Sequence, residues 1–374
     1  MGSLKRFRGR LGLQQRVLPN YRLPFFESLA QACDGGMSLF AGLPRAHEGI
    51  AAASELQIAN FEPGENVHFL DGPFYLCYQK GLLDWLADWN PEALIVEANP
   101  RYLATPSAVR WMHARGRPVI GWGLGAPPLS GPLAALRRSR RLSFLRQFDA
   151  LIAYSQRGAD EYAALGFPRK KVFVATNAVA PRPLFPLPSR PPTFADRPNI
   201  LFVGRLQSRK RVDFLLRACA ALPEAMQPRV VIVGEGPERE NLEILARKIY
   251  RRAEFPGARH GADLAPYFAA ADLFVLPGTG GLAVQEAMAY GLPVIVARGD
   301  GTQDDLVRSG NGWQMPPDDY GALVEALRLA LSDVKRLRKM GKESHRIASE
   351  EINLEKMVGV FVEVLNGLKK SHLL

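Results

Sequence analysis

Apolar runs of four to six residues recur along this chain, separated by stretches in which apolar positions return every three or four residues. QRVLP (Gln15–Pro19), MSLFAG, ALIVEANP (Ala93–Pro100), RPVIGWG (Arg117–Gly123), ALIAYS (Ala150–Ser155) and KVFVATNAV (Lys171–Val179) read as buried strands. FFESLAQAC and ATPSAVRWMHARG (Ala104–Gly116) read as helices, the second ended by glycine. Strands alternating with helices imply a parallel sheet covered by helices. PRPLFPLPSRPPTFADRPN (Pro181–Asn199) interrupts the pattern, because its proline density excludes helix interiors and central strands.

The alternation then restarts. ILFVGRL is followed by a helix from Arg211 to Leu222, VVIVGEG (Val230–Gly236), a helix through Glu240–Arg252, AEFPG and the helix ADLAPYFAAAD. LFVLP (Leu273–Pro277), a Gly-rich turn, the helix AVQEAMAYG closed by Gly291, and LPVIVA come next. The tail from Asp318 to Leu374 reads as helical throughout. The expected organisation is α/β. Two Rossmann-like domains span 1–180 and 199–350, a Pro-rich linker spans 181–198, and a last helix over 351–374 packs back toward the first domain.

A chain of 374 residues suits two such domains. The three cysteines Cys33, Cys77 and Cys219 are far apart and have no paired ligand spacing, which argues for a reducing cytosol and against zinc or a disulfide frame. There is no apolar run of transmembrane length and no signal-peptide pattern. The net charge of +11 suits a phosphorylated ligand, an anionic membrane or nucleic acid. No nucleic-acid motif accompanies it, so no nucleic-acid partner is expected. LRRSRRLSFLRQF (Leu136–Phe148) places Arg137, Arg138, Arg140, Arg141 and Arg146 among Leu and Phe. It reads either as a basic amphipathic helix for anionic lipid or as a solvated helix that packs its Leu and Phe inside.

The candidate chemistry lies at strand ends. In VGRLQSRKR, Gly204 lets the backbone turn, and Arg205 and Lys210 are two cations suited to a diphosphate leaving group; a solvated basic turn is the alternative. The Gly278, Gly280 and Gly281 turn lets backbone amides approach an anion, with Gly281, Leu282, Ala283 and Val284 as phosphate and sugar contacts. Glu286, one turn into the next helix, suits ribose hydroxyls, although most helix glutamates are only solvated. VVIVGEGPERE lacks the third glycine of a dinucleotide fingerprint, so Gly234 and Gly236 read first as backbone devices. In the first domain Glu97 and Arg101 sit at a strand's carboxyl end. No Asp-x-Asp follows a strand, Asp300, Asp304 and Asp305 lie in one polar loop, and the six histidines form no spaced pair. No metal is expected.

PGTGGLAVQEAMAYGLPVIVARGDGTQDDLV, above all EAMAYGLPVIV, resembles the donor-site signature of retaining glycosyltransferases of family 4, which have the GT-B fold. GR…K at Arg205 and Lys210, VGEGP, and TNAV (Thr176–Val179) in place of the family's NGV strengthen the resemblance, which is best over residues 150–315. It implies two domains facing across a cleft with a helical C-terminal tail. It also implies a diphosphate role for Arg205 and Lys210, a ribose role for Glu286, and a ligand contact at Asn177. The family carries a pair of glutamates. The second is Glu286 and the first falls at Gly278, where Thr279 offers a neighbouring hydroxyl. Arg211 stands where the family has glycine, Leu124 where many relatives have a histidine next to Trp122, and Asn20, Tyr21 and Arg22 where they have a Gly-rich loop. Arg22 is a candidate phosphate or acceptor contact. Arg259–Gly261 is the expected base-recognition segment.

The resemblance implies retaining, metal-independent transfer of a hexose-like sugar from a UDP- or GDP-sugar to an acceptor hydroxyl. The nucleotide sugar is a co-substrate, and no cofactor is expected. The implied acceptor is a glycan or a lipid-linked acceptor of bacterial surface polysaccharide or glycolipid assembly, and the expected location is cytoplasmic, either free or peripheral at the inner face of the plasma membrane. A GT-B type nucleotide-sugar epimerase and a non-catalytic nucleotide-binding module remain alternatives.

Overall fold

The computed structural model describes residues 6–299 and 301–371. Residues 1–5, Asp300 and residues 372–374 lie outside the described residues. The chain divides into two compact units, residues 1–179 with 354–374, and residues 180–353.

Unit 1 runs β1 (Leu11–Val17), α1 (Leu23–Gln31), β2 (Met37–Gly42), β3 (Asn60–Pro63), β4 (Glu65–Phe69), β5 (Leu76–Lys80), α2 (Leu82–Trp89), β6 (Ala93–Glu97), α3 (Thr105–His113), β7 (Val119–Gly123), α4 (Ala134–Leu145), β8 (Ala150–Ala153), α5 (Gln156–Leu165) and β9 (Val172–Val174). The seven-stranded parallel sheet has the order β3-β2-β1-β6-β7-β8-β9. Its central strands are buried along nearly their whole length, as sheets covered by helices on both faces require. The antiparallel pair β4–β5 is an insertion absent from the sequence expectation. It is tied down by polar groups: buried Gln79 exchanges hydrogen bonds with Gln14, the Gln15 carbonyl (3.1 Å) and Asn66 (3.0 Å).

Unit 2 runs β10 (Asn199–Val203), α6 (Val212–Ala221), β11 (Arg229–Val233), α7 (Arg239–Ile249), β12 (Ala253–Gly257), α8 (Ala265–Ala270), β13 (Leu273–Leu276), α9 (Ala283–Ala289), β14 (Val294–Ala297), α10 (Thr302–Leu306), β15 (Gly312–Met315), α11 (Tyr320–Leu331) and α12 (Val334–Glu350). Its six parallel strands have the order β12-β11-β10-β13-β14-β15. The Pro-rich segment expected as a linker is packed onto this unit. Half-buried Arg190 donates to the carbonyls of Ala271 (2.8 Å), Tyr290 (2.8 Å) and Phe268 (3.0 Å), and the Phe185 ring lies 4.6 Å from that of Tyr290. Burial lowers the Arg190 pKa to about 10, so the guanidinium stays charged and its hydrogen bonds charge-assisted.

The chain returns to unit 1 as α13 (Leu354–Ser371). Fully buried Phe361 meets the rings of Phe25 and Trp122, each at 5.1 Å, and Lys369 pairs with Glu92 at 2.6 Å. Replacing Phe361 by Ala removes a large side chain from a packed core, so unit 1 should lose about 3–5 kcal/mol in urea unfolding. A loss below about 1 kcal/mol would show α13 to be peripheral to that core.

Candidate functional site

In each sheet the strand order reverses at one point: between β1 and β6 in unit 1, and between β10 and β13 in unit 2. Loops at the carboxyl ends of the two strands diverge there, which leaves a ligand crevice in open α/β sheets. Most of the candidate residues fall on these loops.

In unit 2 the loop after β10 meets the loop after β13. The Lys210 ammonium is 6% exposed and donates to the carbonyls of Thr279 (2.8 Å) and Gly280 (3.0 Å). The Thr279 amide donates back to the Arg209 carbonyl at 3.2 Å. Between these contacts lies Gly278, where an added Cβ would stand 2.1 Å from the Arg209 carbonyl oxygen and 2.5 Å from the Lys210 Cα. The two backbones are in contact, so no side chain fits at 278. The carboxylate that the family resemblance places there is excluded by packing.

Lys210 therefore does a second job beyond that of a free cation. Burial, with the charge of Arg209, lowers its pKa to about 8. Arg205 is exposed and has no hydrogen-bond or ion-pair partner among the described residues. Arg209, not singled out from the sequence, is a third exposed cation, with Nη1 3.5 Å from the Thr279 carbonyl. Its only sequence signal was adjacency to Lys210. Arg211 keeps the left-handed backbone (φ 53°) that the family meets with glycine. Its guanidinium lies 3.4 Å from the Phe214 ring centre and pairs with Asp213 and Asp318, contacts that offset the strain.

The GEG turn closes on the same loop. The Leu206 amide donates to the Glu235 carbonyl at 2.8 Å, and a Cβ on Gly236 would stand 2.2 Å from the Leu206 carbonyl. A Cβ on Gly234 would similarly strike the Gly204 carbonyl. Both glycines permit backbone contact. Arg259 is exposed beside this turn and donates to its neighbour's carbonyl at 2.9 Å.

Glu286 sits half-buried on α9, and its carboxylate has no hydrogen-bond partner among the described residues. Burial raises its pKa. A desolvated, unpaired carboxylate is poised to accept hydrogen bonds from ligand hydroxyls. Leu282 caps α9 without a side-chain bond, and Ala283 and Val284 open the helix that carries Glu286. Its neighbour Gln285, 3% exposed, was not read from the sequence. Gln285 donates to the Ile352 carbonyl at 2.8 Å and accepts from the Ala180 amide at 3.3 Å.

In unit 1, Arg22 follows β1 and Glu97 ends β6. The Arg22 guanidinium is 8% exposed and lies against the rings of Tyr154 (5.0 Å), Trp122 (5.2 Å) and Tyr21 (5.7 Å). Its Nη1 is buried without a partner among the described residues, as are Trp122 Nε1 and Asn177 Oδ1. The Asn177 amide donates to the Tyr154 carbonyl at 3.0 Å, so these orphans belong to one neighbourhood. Unpaired buried polar groups of this kind cost stability unless a ligand or water completes them. Glu97 accepts from the Arg16 amide. Burial raises its pKa to about 7, against the opposing pull of Arg16 and Arg22. Asn20 is exposed at the start of the loop. Arg101 is not in this group, for its Nη2 lies 3.4 Å from the Pro73 carbonyl on the β4–β5 turn. Leu124, at the position where the family resemblance implies a histidine, is exposed. No group of three metal-ligating side chains occurs among the described residues.

Two Rossmann-like parallel sheets with a helical tail define the GT-B fold. Residues 188–346 match the family model of Glycosyl transferases group 1, within unit 2. The chain is 35% identical over 153 residues to a sulfoquinovosyl transferase of Arabidopsis thaliana, a match covering 39% of this chain and 29% of that protein. It thus spans less than a third of that relative's length. It is 25% identical over 300 residues to the lipopolysaccharide core biosynthesis glycosyltransferase LpsE of Rhizobium meliloti, covering 75% and 87% of the two chains. The structure of Anabaena HepE in complex with UDP matches with a TM-score of 0.68 at 17% identity, over 96% of this chain and 99% of that one.

Gly278→Ala tests the packing of the unit 2 loops. The added methyl must push the 209–210 backbone away, so the variant should lose about 1–3 kcal/mol of unfolding stability. A variant as stable as the parent would show that the loops stand apart in solution.

Proposed function

We propose that the protein is a retaining, metal-independent glycosyltransferase of polysaccharide or glycolipid assembly. Unit 2 holds a nucleoside diphosphate sugar, and unit 1 holds the acceptor. The observation that carries this reading is the pairing, at one strand-order reversal, of a cationic loop (Arg205, Arg209, Lys210) with an unpaired, half-buried carboxylate (Glu286). The cations suit the diphosphate and the carboxylate suits ribose hydroxyls. Of the relatives named above, HepE is in complex with UDP and the other two are named as glycosyl-type transferases, which supports the same class here.

In the reaction the bond from the sugar's anomeric carbon to the diphosphate oxygen breaks. The bond to the acceptor oxygen forms on the same face, and the acceptor proton passes to the departing diphosphate. Arg205 and Lys210 stabilise the charge that grows on that diphosphate. Lys210 has two of its three N–H donors on loop carbonyls, so the third is aimed by the loop itself. The amides of Gly281 to Val284 contact phosphate and sugar, and Arg259 lies by the base. In unit 1, Arg22 and Asn177 present unfilled polar atoms to the acceptor, and Glu97 receives a hydrogen bond from an acceptor hydroxyl. The arginines of α4 meet anionic lipid at the cytoplasmic face of the membrane. A binding module without turnover would share the unit 2 features. The near-neutral Glu97 beside Arg22 favours the enzyme.

A panel of nucleoside diphosphates in thermal denaturation tests the donor side. At about 100 times its dissociation constant a bound nucleotide adds ~2.7 kcal/mol. UDP or GDP should stabilise the protein, and Glu286→Ala should weaken the effect. No shift with any nucleotide would sink the donor-site reading.

Lys210 makes binding pH-dependent. A bound diphosphate favours the ammonium, so its pKa rises above the free value of about 8. Affinity should be full below that pH and fall above it, by at most about tenfold per pH unit. Lys210→Arg should flatten the decline in isothermal titrations. For transfer, kcat/KM should rise with pH through about 7 as Glu97 ionises, and Glu97→Gln should remove that limb.

A further inference from the structure

Two exposed leucines of unit 1 are held in left-handed backbone conformations, Leu70 (φ 57°) and Leu133 (φ 60°). Bulky apolar residues rarely adopt this conformation, and such outliers persist where function uses them. Leu70 is 67% exposed on the β4–β5 turn, beside Phe74 at 73%. Leu133 is 69% exposed just before α4, whose Leu136 is also exposed. Each turn carries a Gly-Pro pair that stiffens it: Gly131-Pro132 directly before Leu133, and Gly72-Pro73 one residue beyond Leu70 and directly before Phe74.

Arginines lie between the two turns. Arg101 reaches the Pro73 carbonyl of the first, and Arg141 donates to the Pro127 carbonyl in the loop leading to the second, at 2.9 Å. The two turns belong to one end of the sheet: the segment after β6, which carries Arg101, is hydrogen-bonded to Cys77 of β5, and the loop before α4 leaves the carboxyl end of β7, the parallel neighbour of β6. Residues 98–148 contain nine arginines and no aspartate or glutamate. On the hairpin, Asp71 is neutralised by Arg45.

We propose that the β4–β5 turn and the turn before α4 form a two-point anchor that inserts Leu70, Phe74 and Leu133 into an anionic lipid bilayer. The intervening arginines lie at the headgroup phosphates. The anchor rests on the membrane-side reading given above and extends it from the charges of α4 to apolar insertion. A bilayer fits better than a protein or nucleic acid. The apolar side chains protrude singly from two stiff turns and do not form a flat patch, and guanidinium groups at that level pair with lipid phosphates.

The test is co-sedimentation of the full chain with vesicles of phosphatidylcholine, alone or equimolar with phosphatidylglycerol. The protein should bind the anionic vesicles and be released by salt. Leu70→Ser with Phe74→Ser, and separately Leu133→Ser, should each weaken partitioning about tenfold, with melting and nucleotide binding unchanged. Cys33, Cys77 and Cys219 are buried, so Phe74→Cys can carry a single environment-sensitive fluorophore. Its emission should shift to the blue on anionic vesicles. Serine variants that bind like the parent, an unshifted fluorophore, or a parent that ignores anionic vesicles would each overturn the anchor. Vesicle binding without any nucleotide binding would keep the anchor and sink the enzyme reading.

Discussion

The capture of the Lys210 ammonium by the carbonyls of Thr279 and Gly280 fixes the geometry of unit 2's ligand side. It holds the β10 loop against the β13 loop closely enough to require glycine at 278. The β11 turn then closes on Leu206 from the other side. Three loops from three adjacent strands are thus pinned by backbone contacts, with one buried charge at their centre. An ammonium held between carbonyl dipoles is an economical pin, because it satisfies two acceptors and still carries charge near neutral pH.

Unit 1 is built on the opposite plan. Its strand-order reversal is filled by side chains: an arginine against three aromatic rings, and a carboxyl stripped of water. A guanidinium on aromatic faces is rigid without being saturated, since ring faces take up its charge and leave N–H groups free. Unit 2 offers a loop cradle, and unit 1 a preset polar pocket.

Periodicity made the strand–helix alternation of both units legible, because buried parallel strands write themselves as short apolar runs. The β4–β5 hairpin escaped because ENVHF and LCYQK are half-exposed and held by Gln79 and Asn66, so they lack an apolar run. Arg205, Lys210 and Glu286 could be picked out by residue type and position. What Lys210 touches could not, since a lysine's partners are set by a loop almost seventy residues away. The same holds at 278, where the sequence shows a missing carboxylate and the structure shows a space already filled by backbone. At Arg211 the sequence shows only a residue other than the family's glycine; the structure adds that its left-handed backbone is supported by ring stacking and two carboxylates.

The placement of α13 bears on how the chain is made. Phe361 completes the packing around Phe25 and Trp122, but it is synthesised after all of unit 2. At ribosomal speeds that is a wait on the order of ten to thirty seconds. During that interval the face of α1 that later receives α13 is open to solvent, and so is the ring beneath Arg22. The nascent first unit therefore carries uncovered apolar surface until α13 is made, and the packing beneath its polar pocket is completed last.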